Sequence, residues 1–459
     1  MSNAALPDDA AQMKPPSAAY RWTVLLFVSI TMGCGTYYIY DSIHPLQRIF
    51  VEQLHFTATT FGMLNSAYAA SAIVTLLIGG AIIDRVGTQL AVPLFAVICC
   101  LGAALTAASG HVGMMIAGRV LLGLGGESLV VAATTVIAKW FRGKELALAF
   151  GIKVMIARLA SVAADNSAGW ASGVFYPQGA QGEPSWQGPL LLAVGSGLIA
   201  VLCAGIYWML ERGASEPYAP VKRSAQQGKL SLRESVRFNP SYWYIVGVCL
   251  CFYSAIFPFR TFAIDLFTNR ILGAQGGLDA TEAMRVLALQ QAGRFASLLP
   301  LSTLIATPLL GFLSDRIGKR ATLLMTAALV LMPAYVLIGY THISLWIPIC
   351  MMGVALSVIP AVMWPSVAYL VNPSRLGIAY ALMTLIMQIG FFALNLLIGS
   401  ANDHQHAGLG HLEGYRLGLL VFSGLSVAGF MFTVLLRRRE KGPNGHGLET
   451  ITTAKSLAI

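Results

Sequence analysis

The sequence GAIIDRVGTQ at residues 80–89 closely resembles GFLSDRIGKR at residues 311–320. Both contain a glycine, three residues, Asp-Arg, one residue and a second glycine, and both follow an apolar stretch long enough to cross a bilayer. One copy is typical of an ordinary turn. Two copies at equivalent places indicate an internal repeat, so the pair predicts a chain built from two related halves.

The composition around these motifs is that of a membrane protein. Of 459 residues, 56% are hydrophobic and only 11% are charged, whereas soluble domains carry roughly 25% charged residues. We predict an all-α membrane protein with twelve transmembrane helices in two pseudo-symmetric six-helix halves. The predicted spans lie near residues 22–44, 58–82, 89–110, 112–138, 145–172, 189–210, 241–264, 287–313, 321–340, 343–371, 376–400 and 415–436.

The longest polar interruption lies between the sixth and seventh predicted spans and divides the chain into its two halves. It contains six lysines and arginines and no apolar run that could cross a bilayer. The predicted organisation is an amino-terminal tail at 1–21, a six-helix bundle at 22–210, a connector at 211–240, a second bundle at 241–436 and a carboxy-terminal tail at 437–459.

The formal net charge of +10 reports orientation in the membrane. Arg48, Arg270, Arg285 and Arg416 fall on one side of the predicted spans, and the other basic residues outside the spans fall on the side of both termini. Because cytoplasmic loops carry an excess of lysine and arginine, both termini and the connector are predicted to be cytoplasmic. This explanation of the charge leaves no reason to expect a nucleic-acid partner.

Charged side chains inside predicted spans are the strongest indication of function. Such a charge costs about 2.5–3.5 kcal/mol on insertion scales and usually faces a cavity or a partner. Arg119 and Glu127 lie in the fourth span, and Lys153 and Arg158 lie in the fifth. Asp165 lies in the outer part of the fifth span, and Arg260 and Arg294 lie near outer ends, where snorkelling to the interface explains them.

Glu127 and Arg158 are predicted to lie at one depth. Glu127 is eleven residues from the inner end of its predicted span and Arg158 is thirteen. At ~1.5 Å per residue, both lie roughly 17–20 Å above the inner face. They can form a mutually neutralised structural pair, or they can bind the two charged ends of a substrate. Both interpretations remain open from the sequence.

The duplicated loop and the twelve spans resemble the major facilitator superfamily over nearly the whole chain. The fourth span also resembles its Arg-x-x-x-Gly-x-Gly pattern, at Arg119, Gly123 and Gly125. An aspartate that ends a helix can lie against the positive amino-terminal end of a neighbouring helix and hold one side of a carrier shut. The predicted gating or coupling residues are Asp84, Arg85, Arg119, Asp315 and Arg316.

Longer runs resemble one branch of that superfamily, the lysosomal dipeptide transporters. They include GRVLLGLGGESLVVAATT at 118–135 and ARLAS at 157–161. This resemblance implies that Glu127 holds the amino end of a dipeptide and that Arg158 holds its carboxyl end. The matching aromatic residues, which would line the cavity, are Tyr37, Tyr40, Tyr253, Phe257 and Trp364.

The predicted function is therefore secondary transport of small zwitterionic peptides by alternating access, in contact with membrane lipid. Uniport and proton coupling both remain open, as does an accessory subunit. The alternative is an organic-anion or sugar-acid proton symporter, with Arg158 and Arg119 as anion binders and Glu127 as the proton site. The alanine- and glycine-rich composition, the short loops and the lack of an acidic dileucine signal in residues 1–21 favour a bacterial inner membrane over a lysosome.

An enzyme or a receptor is not expected, because no phosphate-binding loop, metal-ligand cluster, nucleophile motif or appended soluble domain is recognisable in the sequence. No cofactor or metal is expected either. His404, His406 and His411 cluster in one loop without cysteine or acidic partners at ligand spacing, which favours a solvated loop over a metal site.

Overall fold

The computed structural model describes residues 17–141, 145–179, 182–213, 238–372 and 375–450. Within these ranges the secondary structure is helical, apart from short connections and one isolated β-bridge between Gly408 and His411. The predicted connector lies mostly outside the described residues, as do residues 1–16 of the predicted amino-terminal tail and residues 451–459 of the carboxy-terminal tail.

Six spans form the first half of the molecule. Span 1 is Ala18–Met32 continued by a π-helix, Gly33–Tyr38, and by Ile39–Asp41. Spans 2 and 3 are the two parts of Ala58–Ala108, which bends at Gly87. Spans 4, 5 and 6 are Val112–Trp140, Leu146–Asp165 and Gln187–Gly213. Short helices connect them at His44–Leu46, Gln47–Leu54, Ser167–Trp170 and Ser172–Phe175.

The second half repeats this arrangement. Spans 7, 8 and 9 are Pro240–Gln275, Glu282–Ile317 and Arg320–Tyr340. Span 10 is Trp346–Val358 continued by a π-helix, Ile359–Met363, and by Trp364–Leu370. Spans 11 and 12 are Leu376–His404 and Arg416–Glu440. The short helices Gly277–Asp279 and Leu412–Tyr415 belong to its connections.

The prediction of twelve spans is confirmed. Ten segments of the described chain are long and apolar enough to cross a membrane. Residues 58–77 and the helix Leu146–Asp165 complete the twelve. Polar side chains make these two less apolar, and the fifth span carries Lys153, Arg158 and Asp165 within one helix.

Several helix ends differ from the prediction. Span 7 continues to Gln275, well beyond the predicted end near residue 264, because Arg270 is satisfied by the carbonyl oxygens of Ile338, Thr341 and Ile343. Span 5 stops at Asp165 instead of 172, and two single-turn helices replace its last part. Hydropathy therefore places helix ends inaccurately where charged and polar groups lie near them.

Because the chain crosses twelve times, the start of span 1 and the end of span 12 lie on the same face of the bundle. We call this the terminal face, and the opposite one, which carries the connections 55–57, 276–281 and 405–415, the distal face. One apolar cluster lies mainly in each half. Glu127 and the buried Asp41, Asp165 and Arg260 lie in the region between the halves.

The segment after span 12 folds back onto the second half at the terminal face. Leu448 is fully buried, and its carbonyl oxygen accepts the Arg320 amide at 2.8 Å. The Glu449 carboxylate accepts from the Thr322 amide at 2.7 Å and from the Thr322 hydroxyl at 2.8 Å. The start of the predicted carboxy-terminal tail therefore caps the first turn of span 9.

Candidate functional site

Glu127 lies halfway along span 4, partly exposed, between the two halves. Its Oε1 accepts two hydrogen bonds, each of 3.1 Å. One comes from the Tyr68 hydroxyl of span 2, and the other comes from the Gln388 amide of span 11. Since spans 2 and 11 belong to different halves, the carboxylate joins the halves at mid-membrane.

Small residues on span 4 bring Glu127 to this place. A Cβ on Gly123 would collide with the Ser71 hydroxyl and lie 2.5 Å from the Tyr68 carbonyl oxygen. One on Gly126 would lie 3.1 Å from the Tyr68 hydroxyl. These glycines let spans 2 and 4 approach closely, which brings the Tyr68 hydroxyl within reach of the carboxylate.

Arg158 on span 5 is also partly exposed, and its Nε is buried without a hydrogen-bond partner. Within the described part of the chain, neither a hydrogen bond nor an ion pair joins Arg158 to Glu127. The Tyr37 hydroxyl lies within electrostatic range of both charges, and the Tyr253 hydroxyl lies within that range of Arg158. The two opposite charges thus share one site but are not directly bonded to each other.

Aromatic side chains from the second half form one wall of this site. Tyr253 stacks on Phe257 with ring centres 5.3 Å apart and accepts a 2.9 Å hydrogen bond from the Trp364 indole. Phe391 adds a ring 5.2 Å from that of Phe257, and the Tyr380 hydroxyl donates to the Trp364 carbonyl oxygen at 3.1 Å. The three predicted aromatics of this half therefore form one cluster.

The predicted aromatics of the first half lie on span 1. Tyr37 is near both central charges. Tyr40 packs edge-on against Tyr68 at 4.6 Å and receives the guanidinium of Arg119 over its ring at 5.0 Å. The π-helix Gly33–Tyr38 changes the helical phase just before Tyr40, so both tyrosines can face the same region.

Sequence reasoning missed Tyr68, Gln388 and Phe391. Gln388 is a polar residue in the middle of the apolar stretch ALMTLIMQIGFFALNL, and that position is a signal that was available. Tyr68 and Phe391 carry no such signal, because aromatic residues are common on lipid-facing and core-facing sides of spans alike.

Arg119 is fully buried, and it lies far from the repeated loops. It donates to the carbonyl oxygens of Ile39 and Tyr40 at 3.3 and 3.2 Å and to Asn65 Oδ1 at 2.6 Å. Asn65 in turn donates to the Thr261 hydroxyl of the second half at 3.0 Å. Arg119 therefore secures the irregular part of span 1 and connects, through Asn65, to span 7.

The other predicted gating residues lie at the terminal face, far from the central charges. Asp84, Arg85 and Arg316 are exposed there. Asp315 pairs with Arg320 at 2.8 Å, and the guanidinium of Arg320 lies over the Tyr369 ring at 4.6 Å. The basic residue after the second loop thus holds Asp315, whereas the first loop has Gln89 at the equivalent position.

A buried ion cluster lies between the central site and the distal face. Arg260 of span 7 donates to Asp165 at 2.9 Å and to Asp41 at 3.3 Å, and His44 Nδ1 is 3.6 Å from both carboxylates. All four side chains are at most 4% exposed. We call these four residues the distal ion cluster.

The expectation that Arg260 snorkels to the interface is therefore wrong. Its guanidinium is neutralised by two aspartates of the first half, and one of them, Asp41, lies 219 positions away in the sequence. Arg294 is exposed, as expected for a side chain near the interface.

Within the described residues, no group of three or more histidine, cysteine, aspartate or glutamate side chains is arranged to hold a metal ion. Of the three loop histidines, His411 has its Nδ1 2.9 Å from the Gln405 carbonyl oxygen. His404 ends span 11, and His406 and His411 lie in the distal connection between spans 11 and 12.

Curated relatives match most of the chain. The lysosomal dipeptide transporter MFSD1 of Danio rerio is 29% identical over 422 residues, which cover 90% of this chain and 87% of the relative. The Homo sapiens protein of the same name is 28% identical over 419 residues, with 90% and 86% covered. A galacturonate transporter of Dickeya chrysanthemi is 24% identical over 183 residues, with 40% and 50% covered.

Solved structures share the fold. The nucleoside transporter NupG, in a mutant form, superposes with a TM-score of 0.70 at 15% identity and covers 91% of this chain and 99% of its own. A bacterial homologue of the human lysosomal transporter Spinster, in an inward-facing and occupied conformation, gives 0.69 at 16% identity, with 92% and 98% covered.

The family model described as Major Facilitator Superfamily matches residues 23–293 and 280–458. The two matches overlap at residues 280–293, and together they cover almost the entire chain. Family, curated relatives and fold neighbours agree on transport. The chain is an integral membrane transporter that belongs to the major facilitator superfamily.

Proposed function

We propose that this transporter carries dipeptides by alternating access, with the terminal face in the cytoplasm. The observation that carries the proposal is the pair of opposite charges, Glu127 and Arg158, which lie in one site between the halves without being bonded to each other. Glu127 takes the amino end of the peptide and Arg158 takes its carboxyl end.

A zwitterion suits this pair because it brings both counter-charges at once. An uncompensated charge in a protein interior costs about 3–5 kcal/mol when its partner is removed. A peptide with two free ends neutralises the carboxylate and the guanidinium in one binding event. A substrate with one charged end would leave one of the two residues uncompensated.

The absence of a direct bond between the two residues favours a substrate longer than an amino acid. The charged ends of a free amino acid are only a few ångströms apart, and a second residue adds ~3.3–3.6 Å. The aromatic wall of Tyr253, Phe257 and Trp364 supplies an apolar surface for the side chains between those ends.

The experiment compares one dipeptide with its N-acetyl and C-amide derivatives, in binding to the purified protein and in uptake by proteoliposomes. We expect each capped form to bind at least about 100-fold more weakly than the free dipeptide, because each leaves a central charge uncompensated. Equal binding of free and capped forms by the wild type would contradict the proposal.

Two variants test which residue binds which end of the dipeptide. Glu127→Gln is expected to lose its preference for a free amino end over an acetylated one, and Arg158→Ala is expected to lose dipeptide uptake. Arg294→Ala, which removes an exposed arginine of span 8, is the matched control and should keep the wild-type preference.

A second candidate is transport of a sugar acid, which the partial match to a galacturonate transporter favours. Arg158 would then hold the carboxylate and Glu127 would carry a proton. A monoanion does not need a carboxylate beside it, so Glu127→Gln should preserve galacturonate binding. Competition by galacturonate but not by dipeptides would select this function.

A further inference from the structure

Gln388 is a buried amide that the proposed roles of Glu127 and Arg158 leave unexplained. It lies on span 11, is 2% exposed, and donates through Nε2 to Glu127 Oε1 at 3.1 Å. Its Oε1 is buried without a hydrogen-bond partner among the described residues. A buried amide oxygen without a hydrogen-bond partner lowers the stability of the folded protein. The presence of such a group beside a carboxylate therefore needs an explanation.

The carboxylate determines how the amide is oriented in this state. Ionised Glu127 can only accept hydrogen bonds, so the NH₂ group of Gln388 must face it and the carbonyl oxygen must point away. An amide carries both donors and an acceptor on one planar group. A half-turn about its terminal torsion would exchange them and present an acceptor toward the same place.

That place is where a peptide's ammonium group would bind. A primary ammonium has three N–H donors, and a single carboxylate oxygen does not satisfy them all. Glu127 Oε1 already accepts a hydrogen bond from the Tyr68 hydroxyl, so this oxygen is not fully available to an ammonium group. Gln388 Oε1 is a nearby acceptor without a donor among the described residues.

We propose that Gln388 is the second half's part of the ammonium site. It donates to Glu127 in the empty carrier and accepts from the substrate's primary ammonium in the loaded one. This inference rests on the proposed function, and it adds that recognition of the amino end is shared by spans 4 and 11. Because these spans belong to different halves, the bound ammonium bridges the halves at mid-membrane.

The position of Gln388 supports this role independently of the charge argument. Phe391 lies three residues later on the same face of span 11 and packs against Phe257 and Tyr253. Gln388 therefore forms the polar end of the aromatic wall, next to the carboxylate.

The test measures how strongly the carrier prefers a free dipeptide over its desamino analogue, in which hydrogen replaces the amino group. Dissociation constants for both ligands are determined with wild type, Gln388→Met, Gln388→Glu and Gln290→Met. Methionine keeps the length of glutamine and removes its hydrogen-bonding groups. Gln290 is the matched control, because it also spans the halves, with its amide 3.4 Å from the Ala168 carbonyl oxygen near the distal face.

We expect Gln388→Met to reduce the preference for the free dipeptide about tenfold, the scale of one hydrogen bond to a charged group, and to leave desamino binding unchanged. Gln388→Glu, which supplies acceptors, should keep or increase the preference. Gln290→Met should match wild type. Melting temperatures of all variants verify that they are folded.

The outcomes separate the two proposals. If wild type binds the free and desamino ligands equally, recognition of the amino end fails and Gln388 loses its role with it. If wild type discriminates and Gln388→Met discriminates as strongly, only the role of Gln388 is overturned. Equal loss of affinity for both ligands in Gln388→Met, or equal loss of preference in the Met and Glu variants, would assign Gln388 to packing and overturn the inference.

Discussion

The two ends of the interface between the halves are packed differently. Near the distal face, glycines touch backbone across the interface. A Cβ on Gly62 would collide with the Asn395 carbonyl oxygen, and one on Gly399 would lie 2.6 Å from that of Ala58. Toward the terminal face of the same helices, Gly80 and Gly377 have no heavy atom within 4 Å of an added Cβ in the described structure.

Polar contacts follow the same division. Asp403 accepts from the amides of Ala58 and Thr59 at 2.7 and 2.8 Å, and the distal ion cluster joins spans 1, 5 and 7. Among the described residues, the hydrogen bonds between the halves lie from this distal region as far as Glu127 and Gln388 at mid-membrane. In the described part of the chain, the halves are therefore in closer contact at the distal face than at the terminal face.

Short-range contacts allow one interface to close at either end. The distal closure combines charges that neutralise one another with glycines that permit backbone contact, and both are short-range interactions that are lost over a few ångströms of separation. Rocking of one half against the other, as the proposed alternating access requires, would break them together. The repeated loops at the terminal face are the candidates for the opposite closure.

The largest effect is expected from removing Arg260. Arg260→Gln leaves Asp41 and Asp165 buried together without their cation, which costs the closed distal state about 3–5 kcal/mol. The carrier should favour an open distal face and lose most of its uptake. A cysteine at Ser66, which is 2% exposed in this state, should become reactive to a reagent applied from the distal side.

Arg294→Gln, at an exposed arginine of span 8, is the control for the loss of a charge and should leave the cysteine at Ser66 protected. Continued protection of that cysteine in Arg260→Gln would mean that the distal ion cluster does not hold the face closed.

A smaller effect is expected from filling the distal glycine contact. Gly62→Ala places a methyl group against the backbone of Asn395, which cannot move aside as a side chain can, and such overpacking costs about 1–3 kcal/mol. Spin labels at His55 and His406 should report a wider distal face by electron resonance distance measurement. Gly424→Ala, where an added Cβ meets no atom within 4 Å, should leave that distance unchanged. An equal distance in both variants would contradict the proposed packing.

The smallest effect is expected at the terminal face, whose proposed closing contacts belong to the other state. Asp84→Asn should weaken that closure by about 1 kcal/mol, the scale of a charge at a helix terminus. Turnover should fall by roughly 5-fold, while dipeptide affinity changes by less than about twofold. Asp279→Asn, at an exposed distal aspartate, is the control. A larger change in affinity than in turnover would place Asp84 in binding instead of gating.

Much of the fold was predictable because lipid restricts the choice of structure. Backbone groups in a bilayer must be satisfied within helices, so apolar length alone predicted the spans. The repeated loop predicted the two halves, and the high cost of intramembrane charge singled out Glu127 and Arg158. Helix ends near Asp165 and Arg270 were less predictable, because their polar groups are satisfied by contacts that hydropathy does not represent.

By itself, the sequence determined the number of spans, their division into halves and the residues whose charge requires an explanation. Only the tertiary structure decided which residues meet. Arg260 contacts Asp41 across 219 positions of sequence, and Gln388 contacts Glu127 across 261. Those side-chain contacts depend on how each helix is rotated and tilted against its neighbours. Rotation and tilt come from side-chain packing between spans, whereas hydropathy and spacing describe one span at a time.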